Sequence, residues 1–325
     1  MQIEFPGWFD LQVNGFAGVD FNNPAATPED FVRAIEAMRL TGVTRFLPTL
    51  ITSSVERFAA CAKILALTRH PAIAGIHMEG PYISGEDGAR GAHPLAHVAA
   101  ASREDFQRRQ EAAGGQIKLV TLAPEVPGAI ALTEWLAAAG VRVAIGHTAA
   151  LPGQIRAAVQ AGATLSTHLG NGCAGMMPRH PNLLWEQLAA DGLFASLIVD
   201  GHHLPPATVK AMVRAKTAGR TILVTDAMAA AGCAPGEYEL NGERVVLSAD
   251  GRVSPPGKPW LAGSAVRMDQ AVANTVKFAG LTLEEVLPMA GRRPAEYIGD
   301  KTVGRVTADW DAAESKLTNL KVLNA

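Results

Sequence analysis

The amino-acid sequence predicts an α/β fold, a (β/α)8 barrel of the TIM type with a reduced small β element. Three observations carry this expectation. Eight short apolar runs recur along the chain, and helix-like segments with apolar spacing near three and four lie between them. Four of the runs also end on a side chain able to bind metal or move protons. Parallel strands buried on both faces read as unbroken apolar runs. In a barrel of alternating strands and helices their carboxyl-terminal ends converge on one site. An open, doubly wound sheet is the architectural alternative.

In chain order the predicted strands are Trp8–Val13, Arg45–Leu50, Ile73–Met78, Lys118–Leu122, Arg142–Ile145, Ala163–Thr167, Ala195–Val199 and Thr221–Thr225. The clearest helix signal is Pro28–Met38, with Thr27 as cap and proline at the first helical position. Pro206–Ala218 and Met268–Ala279 repeat the pattern, and Gly42, Gly140 and Gly162 stand where helices should end. The rhythm breaks at Gly236–Val253, which reads as two or three short antiparallel strands with turns at Asn241-Gly242 and Asp250-Gly251. The tail from about Val303 is expected to add a strand or two to that element. Residues 1–232 and 260–302 are therefore assigned to the barrel, and 233–259 with 303–325 to the small β element.

Composition bounds the function. With 325 residues, 48% hydrophobic and 18% charged, the chain can bury a large core and is not disordered. A net charge of -2 with no basic run excludes nucleic acid and anionic membrane surfaces as natural partners. No apolar run approaches the roughly 18 residues that span a bilayer, and the start Met-Gln-Ile-Glu-Phe-Pro shows no secretory signal. Three scattered cysteines, Cys61, Cys173 and Cys233, give no disulfide framework and fit a reducing cytoplasm.

The chemistry is concentrated at the strand ends. Ile73-Ala-Gly-Ile-His-Met-Glu79 ends in a carboxylate, Val143-Ala-Ile-Gly-His147 and Ala163-Thr-Leu-Ser-Thr-His168 in imidazoles, and Thr221-Ile-Leu-Val-Thr-Asp226 in a second carboxylate. An ionised group is costly to bury, so one that closes a buried strand marks a pocket. Two imidazoles with Glu79 suit a divalent metal, Zn²⁺, Fe²⁺ or Mn²⁺. A separate carboxylate at Asp226 can take a proton from water and pass it to a leaving group. That combination reads as a metal-dependent hydrolase. His77, two residues before Glu79 on the same face, is either a further ligand or a buried structural residue. Asp10, Gln12 and Asn14 share one face of the first strand, and their weak amide donors leave no strong second metal position. The segment from Asn171 to Arg179 is either an anion cradle or an ordinary connection, and Asp200-Gly-His-His203 closes the seventh strand.

Taken together, Pro6-Gly-Trp-Phe-Asp-Leu-Gln-Val-Asn-Gly15, His77-Met-Glu-Gly-Pro81, Gly146-His-Thr148, Thr167-His-Leu-Gly-Asn171, Val199-Asp-Gly-His-His203, Val224-Thr-Asp226 and Leu261-Ala-Gly-Ser264 resemble the N-acetylglucosamine-6-phosphate deacetylase family of the amidohydrolase superfamily. The resemblance implies one divalent metal per subunit, zinc first among the candidates, held by Glu79, His147 and His168. It implies Asp226 as general acid/base and His93 as the group that polarises the substrate carbonyl. Asn171, the backbone of Gly172, Arg179 and His203 match substrate-contacting positions. A homodimer is likewise implied. Family members usually carry several strands before the barrel, so the small β element should be reduced here. The loop after His168 also departs from the family pattern, with Asn171-Gly-Cys and Arg179-His-Pro-Asn182.

The expected reaction is hydrolysis of the acetamide of N-acetylglucosamine 6-phosphate to acetate and glucosamine 6-phosphate. Two rivals stand beside it: a related hydrolase for another N-acyl or cyclic amide lacking the phosphate, and a non-catalytic metal- or sugar-binding descendant.

Overall fold

The computed structural model describes residues 1–240, 243–258 and 260–324. Its first strand, β1 (Gln2–Pro6), leads directly into β2 (Trp8–Val13), and a short hairpin of β3 (Gly15–Phe16) and β4 (Val19–Asp20) follows. The rest of the large sheet is β5 (Val43–Ile51), β6 (Ile76–Glu79), β7 (Ile117–Leu122), β8 (Arg142–Ile145), β9 (Leu165–Ser166), β10 (Phe194–Leu197) and β11 (Thr221–Leu223). These seven pair in parallel with their neighbours in chain order, and β2 pairs with β5 to complete eight strands. All eight predicted strands are present, each shifted by a few residues at most.

The end strands, β11 and β2, meet without a ladder. Asp226 N donates to Gln12 O at 2.9 Å, Asn14 N donates to Ala227 O at 2.7 Å, and Val13 forms a single parallel bridge with Ala227. The sheet is thus a nearly closed barrel rather than an open doubly wound sheet. Its strands are buried on both faces, so they read as continuous apolar runs. Helices cover the outside with one apolar stripe each. In Pro28–Arg39 the stripe is Phe31, Ala34, Ile35 and Met38, and Thr27 with Asp30 closes a capping box at its start. Burying a side chain such as Phe31 is worth about 1.5–3 kcal/mol over leaving it exposed. No described helix is long and apolar enough to cross a membrane.

Two small sheets flank the barrel. The insertion forms β12 (Gly236–Leu240), β13 (Glu243–Leu247) and β14 (Val253–Ser254), antiparallel throughout. The expected turn at Asn241-Gly242 lies outside the described residues. The tail, β15 (Arg305–Asp311) and β16 (Lys316–Leu323), does not join that element. It pairs with β1 in the order β1-β15-β16. The reason is packing: Leu240, Val245, Leu247 and Val253 cover Met228–Ala230 just past Asp226, while Val306, Ala308 and Trp310 join the main core. The insertion therefore stands at the end of the barrel where Asp226 lies, and the tail sheet pairs with β1 instead.

Candidate active site and metal centre

Glu79 is the last residue of β6. The next residue turns the chain sharply, with Gly80 at φ +77°, and a Cβ there would lie 2.1 Å from Thr52 Oγ1. Only glycine fits that approach. His147 and His168 follow β8 and β9, and Asp226 follows β11. All three hold positive φ, at 50°, 30° and 49°. A non-glycine residue there carries about 1–3 kcal/mol of strain and persists only where neighbours fix it. They are fixed here: Ser84 N donates to His147 O (2.9 Å), His168 N to Ser196 Oγ (2.8 Å) and Asp226 N to Gln12 O (2.9 Å).

The side chains of Glu79, His147 and His168 converge. Glu79 Oε1 lies 3.1 Å from His147 Nε2 and 3.0 Å from His168 Nε2, and the two Nε2 atoms are 3.1 Å apart. His147 Nδ1 donates to Ala89 O at 3.0 Å, so the neutral ring turns a lone pair toward Glu79 and His168. Gly172 allows this closeness, since a Cβ on it would sit 2.8 Å from His147 Nδ1. A carboxylate and imidazole lone pairs facing one another at such distances repel unless a proton or a cation lies between them. The donor set, two imidazoles and one carboxylate, is one that a divalent metal takes. Among the described residues no other His, Cys, Asp or Glu trio converges in this way. Burial pushes the Glu79 carboxyl up, but His147, His168 and His93 outweigh it and hold Glu79 well below the usual carboxylate range.

Around this cluster the neighbours are organised. Gln12 Nε2 donates to Glu79 Oε1 at 2.9 Å, and Asn14 Nδ2 donates to Asp226 Oδ1 at 2.7 Å. Burial, then the charge of Glu79, pushes Asp226 up to about 6. Beneath them His77 Nδ1 lies 3.2 Å from Thr49 Oγ1 and Nε2 lies 2.7 Å from Thr121 Oγ1, which in turn reaches Thr167 Oγ1 at 2.7 Å. Both ring nitrogens of His77 are occupied by hydroxyls, and burial pushes the ring down to about 4. Of the two readings of His77, the structural one is observed. Asp10 is fully buried at the β2–β11 seam, where it accepts from Gln12 N and from Thr225 Oγ1 (2.6 Å), one residue before Asp226.

The cluster forms the floor of a cavity of about 1210 Å³. Glu79, His93, His147, His168, Asn171, Gly172, His203 and Asp226 all line it, as the sequence leads one to expect. His93 Nδ1 sits 2.8 Å from Thr52 Oγ1 and its Nε2 is 3.7 Å from Glu79 Oε2. Burial, then His147, pushes the His93 ring well below its ordinary value. Arg179 departs from expectation: it is exposed and stands outside the lining. Asn182, which caps the helix Leu183–Ala189, also donates to Pro178 O and Arg179 O and so curls the loop back on that helix. The arginines that do line the cavity are Arg90 and Arg252, together with Trp260 and Leu240 from the insertion region. Nothing in the local sequence marks Arg252 or Trp260, because their approach to the cavity depends on how the insertion docks.

An amidohydrolase family model matches residues 3–313. Over 312 residues the chain is 34% identical to an N-acetylglucosamine-6-phosphate deacetylase of Lysinibacillus sphaericus, covering 94% of this chain and 79% of that protein. It is also 34% identical to an N-acetylgalactosamine-6-phosphate deacetylase of a Shewanella species, covering 94% and 77%. Among solved structures, N-acetyl-D-glucosamine-6-phosphate deacetylase from Mycobacterium smegmatis superposes with a TM-score of 0.90 at 31% identity, over 99% of this chain and 86% of that one.

Proposed function

This chain belongs to the amidohydrolase family, and we propose that it removes the acetyl group from N-acetylglucosamine 6-phosphate, giving glucosamine 6-phosphate and acetate. The observation that carries the reading is Asp226: a half-buried carboxylate, outside the Glu79–His147–His168 trio, facing the same cavity. Binding a metal or a sugar needs no such group, so its presence favours hydrolysis over a non-catalytic descendant. The relatives named for deacetylation of amino-sugar phosphates support the substrate class.

Glu79, His147 and His168 would hold one divalent cation, zinc in this reading. When bound, it would supply Lewis acidity, polarising the amide carbonyl and acidifying water. Asp226 has Oδ1 occupied by Asn14, which leaves Oδ2 to accept the proton of the attacking water. It then delivers that proton to the amide nitrogen as the carbon–nitrogen bond breaks, so the amine leaves neutral. His93, fixed through Nδ1 by Thr52, offers Nε2–H to the acetyl oxygen as negative charge develops there. At the far wall, Asn171 and the backbone of Gly172 would hold the sugar phosphate, His203 would contact the substrate, and Arg252 would take the cationic role expected of Arg179.

The test is acetate release from N-acetylglucosamine 6-phosphate, its galacto epimer and both unphosphorylated sugars, with the protein loaded in turn with Zn²⁺, Fe²⁺ and Mn²⁺. Fast release that requires the phosphate is the expected result. Release from none of the four sugars sinks the substrate assignment and favours another N-acyl or cyclic amide. The same reading expects a cytoplasmic homodimer, and light scattering of the purified protein checks the dimer.

A further inference from the structure

Beyond β10 the chain folds Asp200 back on its own loop. Asp200 Oδ1 accepts from the backbone N–H of His202 (2.8 Å) and of His203 (2.7 Å), and Oδ2 lies 2.6 Å from His203 Nδ1. The two side chains are 8% and 9% exposed. Burial pushes Asp200 up, but the His203 ring and the two amides outweigh it and keep the carboxyl below its ordinary range. On the opposite edge of the ring, His203 Nε2 has no partner among the described residues, and His203 lines the cavity with Asp226.

These contacts decide where the ring proton sits. A carboxylate only accepts, so with both oxygens engaged His203 must donate from Nδ1. In the neutral ring Nε2 then keeps its lone pair, and that lone pair faces the cavity. A carboxylate held by two backbone amides cannot rotate to offer anything else.

We propose that Asp200 is a positioning residue: it locks His203 in the Nδ1–H tautomer and so makes Nε2 a hydrogen-bond acceptor for a hydroxyl of the amino-sugar ring. This rests on the reading of His203 as a substrate contact. It also assigns a selectivity, since a ring lacking a hydroxyl donor at that point leaves the lone pair unpaired.

Asp200→Asn is nearly isosteric and inverts the device. Its carbonyl must still serve the two backbone amides, so its NH2 faces Nδ1 and forces the ring proton to Nε2. Nitrogen-15 NMR of imidazole-labelled, zinc-loaded protein at pH 8 reads this directly. The wild type should show His203 protonated on Nδ1 and the variant on Nε2. KM for the amino-sugar phosphate should rise about tenfold, the scale of one lost hydrogen bond to a buried polar group, with kcat changed far less. In a His203→Ala background, Asp200→Asn should leave KM unmoved, because Asp200 acts only through the ring. A wild-type ring protonated on Nε2 overturns the proposal, as does an inverted tautomer that leaves KM unchanged. The wild-type spectrum decides the tautomer even if the variant does not fold. It needs no substrate, so its failure is separable from failure of the deacetylase reading.

Discussion

The floor and the far wall of the cavity are built differently. On the floor, Glu79, His147, His168 and Asp226 each close a barrel strand, and every one is held by a hydrogen bond: Glu79 accepts from Gln12, His147 O from Ser84 N and Asp226 from Asn14, while His168 N donates to Ser196 Oγ. On the wall, Leu240 and Arg252 come from the insertion and Trp260 directly follows it; among the described residues the insertion's contacts include the small apolar cluster over Met228–Ala230, a bond from Ala262 N to Val253 O and one from His202 Nε2 to Asp250 O. Trp260 is 57% exposed although it lines the cavity. The contrast separates two tasks. Chemistry demands side chains fixed to fractions of an ångström, which strands supply. In the proposed reading, recognition of one substrate among relatives falls to an appended element that can change without disturbing the strands.

The strongest way to break this contrast is at the floor. Asp226→Asn should lower kcat about a thousandfold, within the range general acid–base groups contribute, while metal content measured by elemental analysis stays at wild-type level. Near-wild-type turnover in that variant would remove Asp226 from the mechanism and make the floor no more catalytic than the wall.

A second test probes what holds the floor. Thr121→Val removes the hydroxyl that links His77 to Thr167 and leaves two buried polar atoms, His77 Nε2 and Thr167 Oγ1, without that partner. Urea unfolding should show a loss of about 1–3 kcal/mol. If stability is unchanged, the hydroxyl chain beneath Glu79, His147 and His168 is incidental.

Asp10 gives a pH signature of the seam beneath the site. Burial, opposed by bonds from Thr225 and Gln12, pushes its folded-state pKa up to about 7 against 3.8 ordinarily. Between those values the folded chain holds a proton that the unfolded chain releases, so this residue makes stability fall as pH rises from about 4 to 7. One proton bounds the slope at about 1.4 kcal/mol per pH unit. Asp10→Asn should flatten that component in unfolding curves taken at pH 5 and 7.5; an unaltered slope would assign it to other groups.

The smallest effect sharpens the wall. Arg252→Ala should raise KM for the phosphorylated sugar about tenfold, a typical cost for one charged hydrogen bond, and leave the unphosphorylated sugar alone. Arg179→Ala should stay within about twofold, as exposed positions generally do. The reverse ranking would return the anion contact to the loop after His168.

The barrel and its floor were legible because a buried parallel strand has one sequence form, an apolar run, and a polar residue that ends it can only face the opening. That reasoning locates Glu79, His147, His168 and Asp226, and the face shared by Gln12 and Asn14. Other facts had no local signal. The seam that ties Asp10 to Thr225 joins residues 215 positions apart. The role of His77 depended on hydroxyls from two other strands, and Arg179 is exposed in a loop whose carbonyls accept from the helix-capping Asn182. The sequence by itself determined which elements form and which ends carry charge, since both follow from periodicity and the cost of burying ions. Only the tertiary structure decided which arginines line the cavity, where the tail pairs and which ring nitrogen of His203 meets Asp200. Each of these is set by contacts whose partners lie elsewhere in the chain or in the fine geometry of a turn.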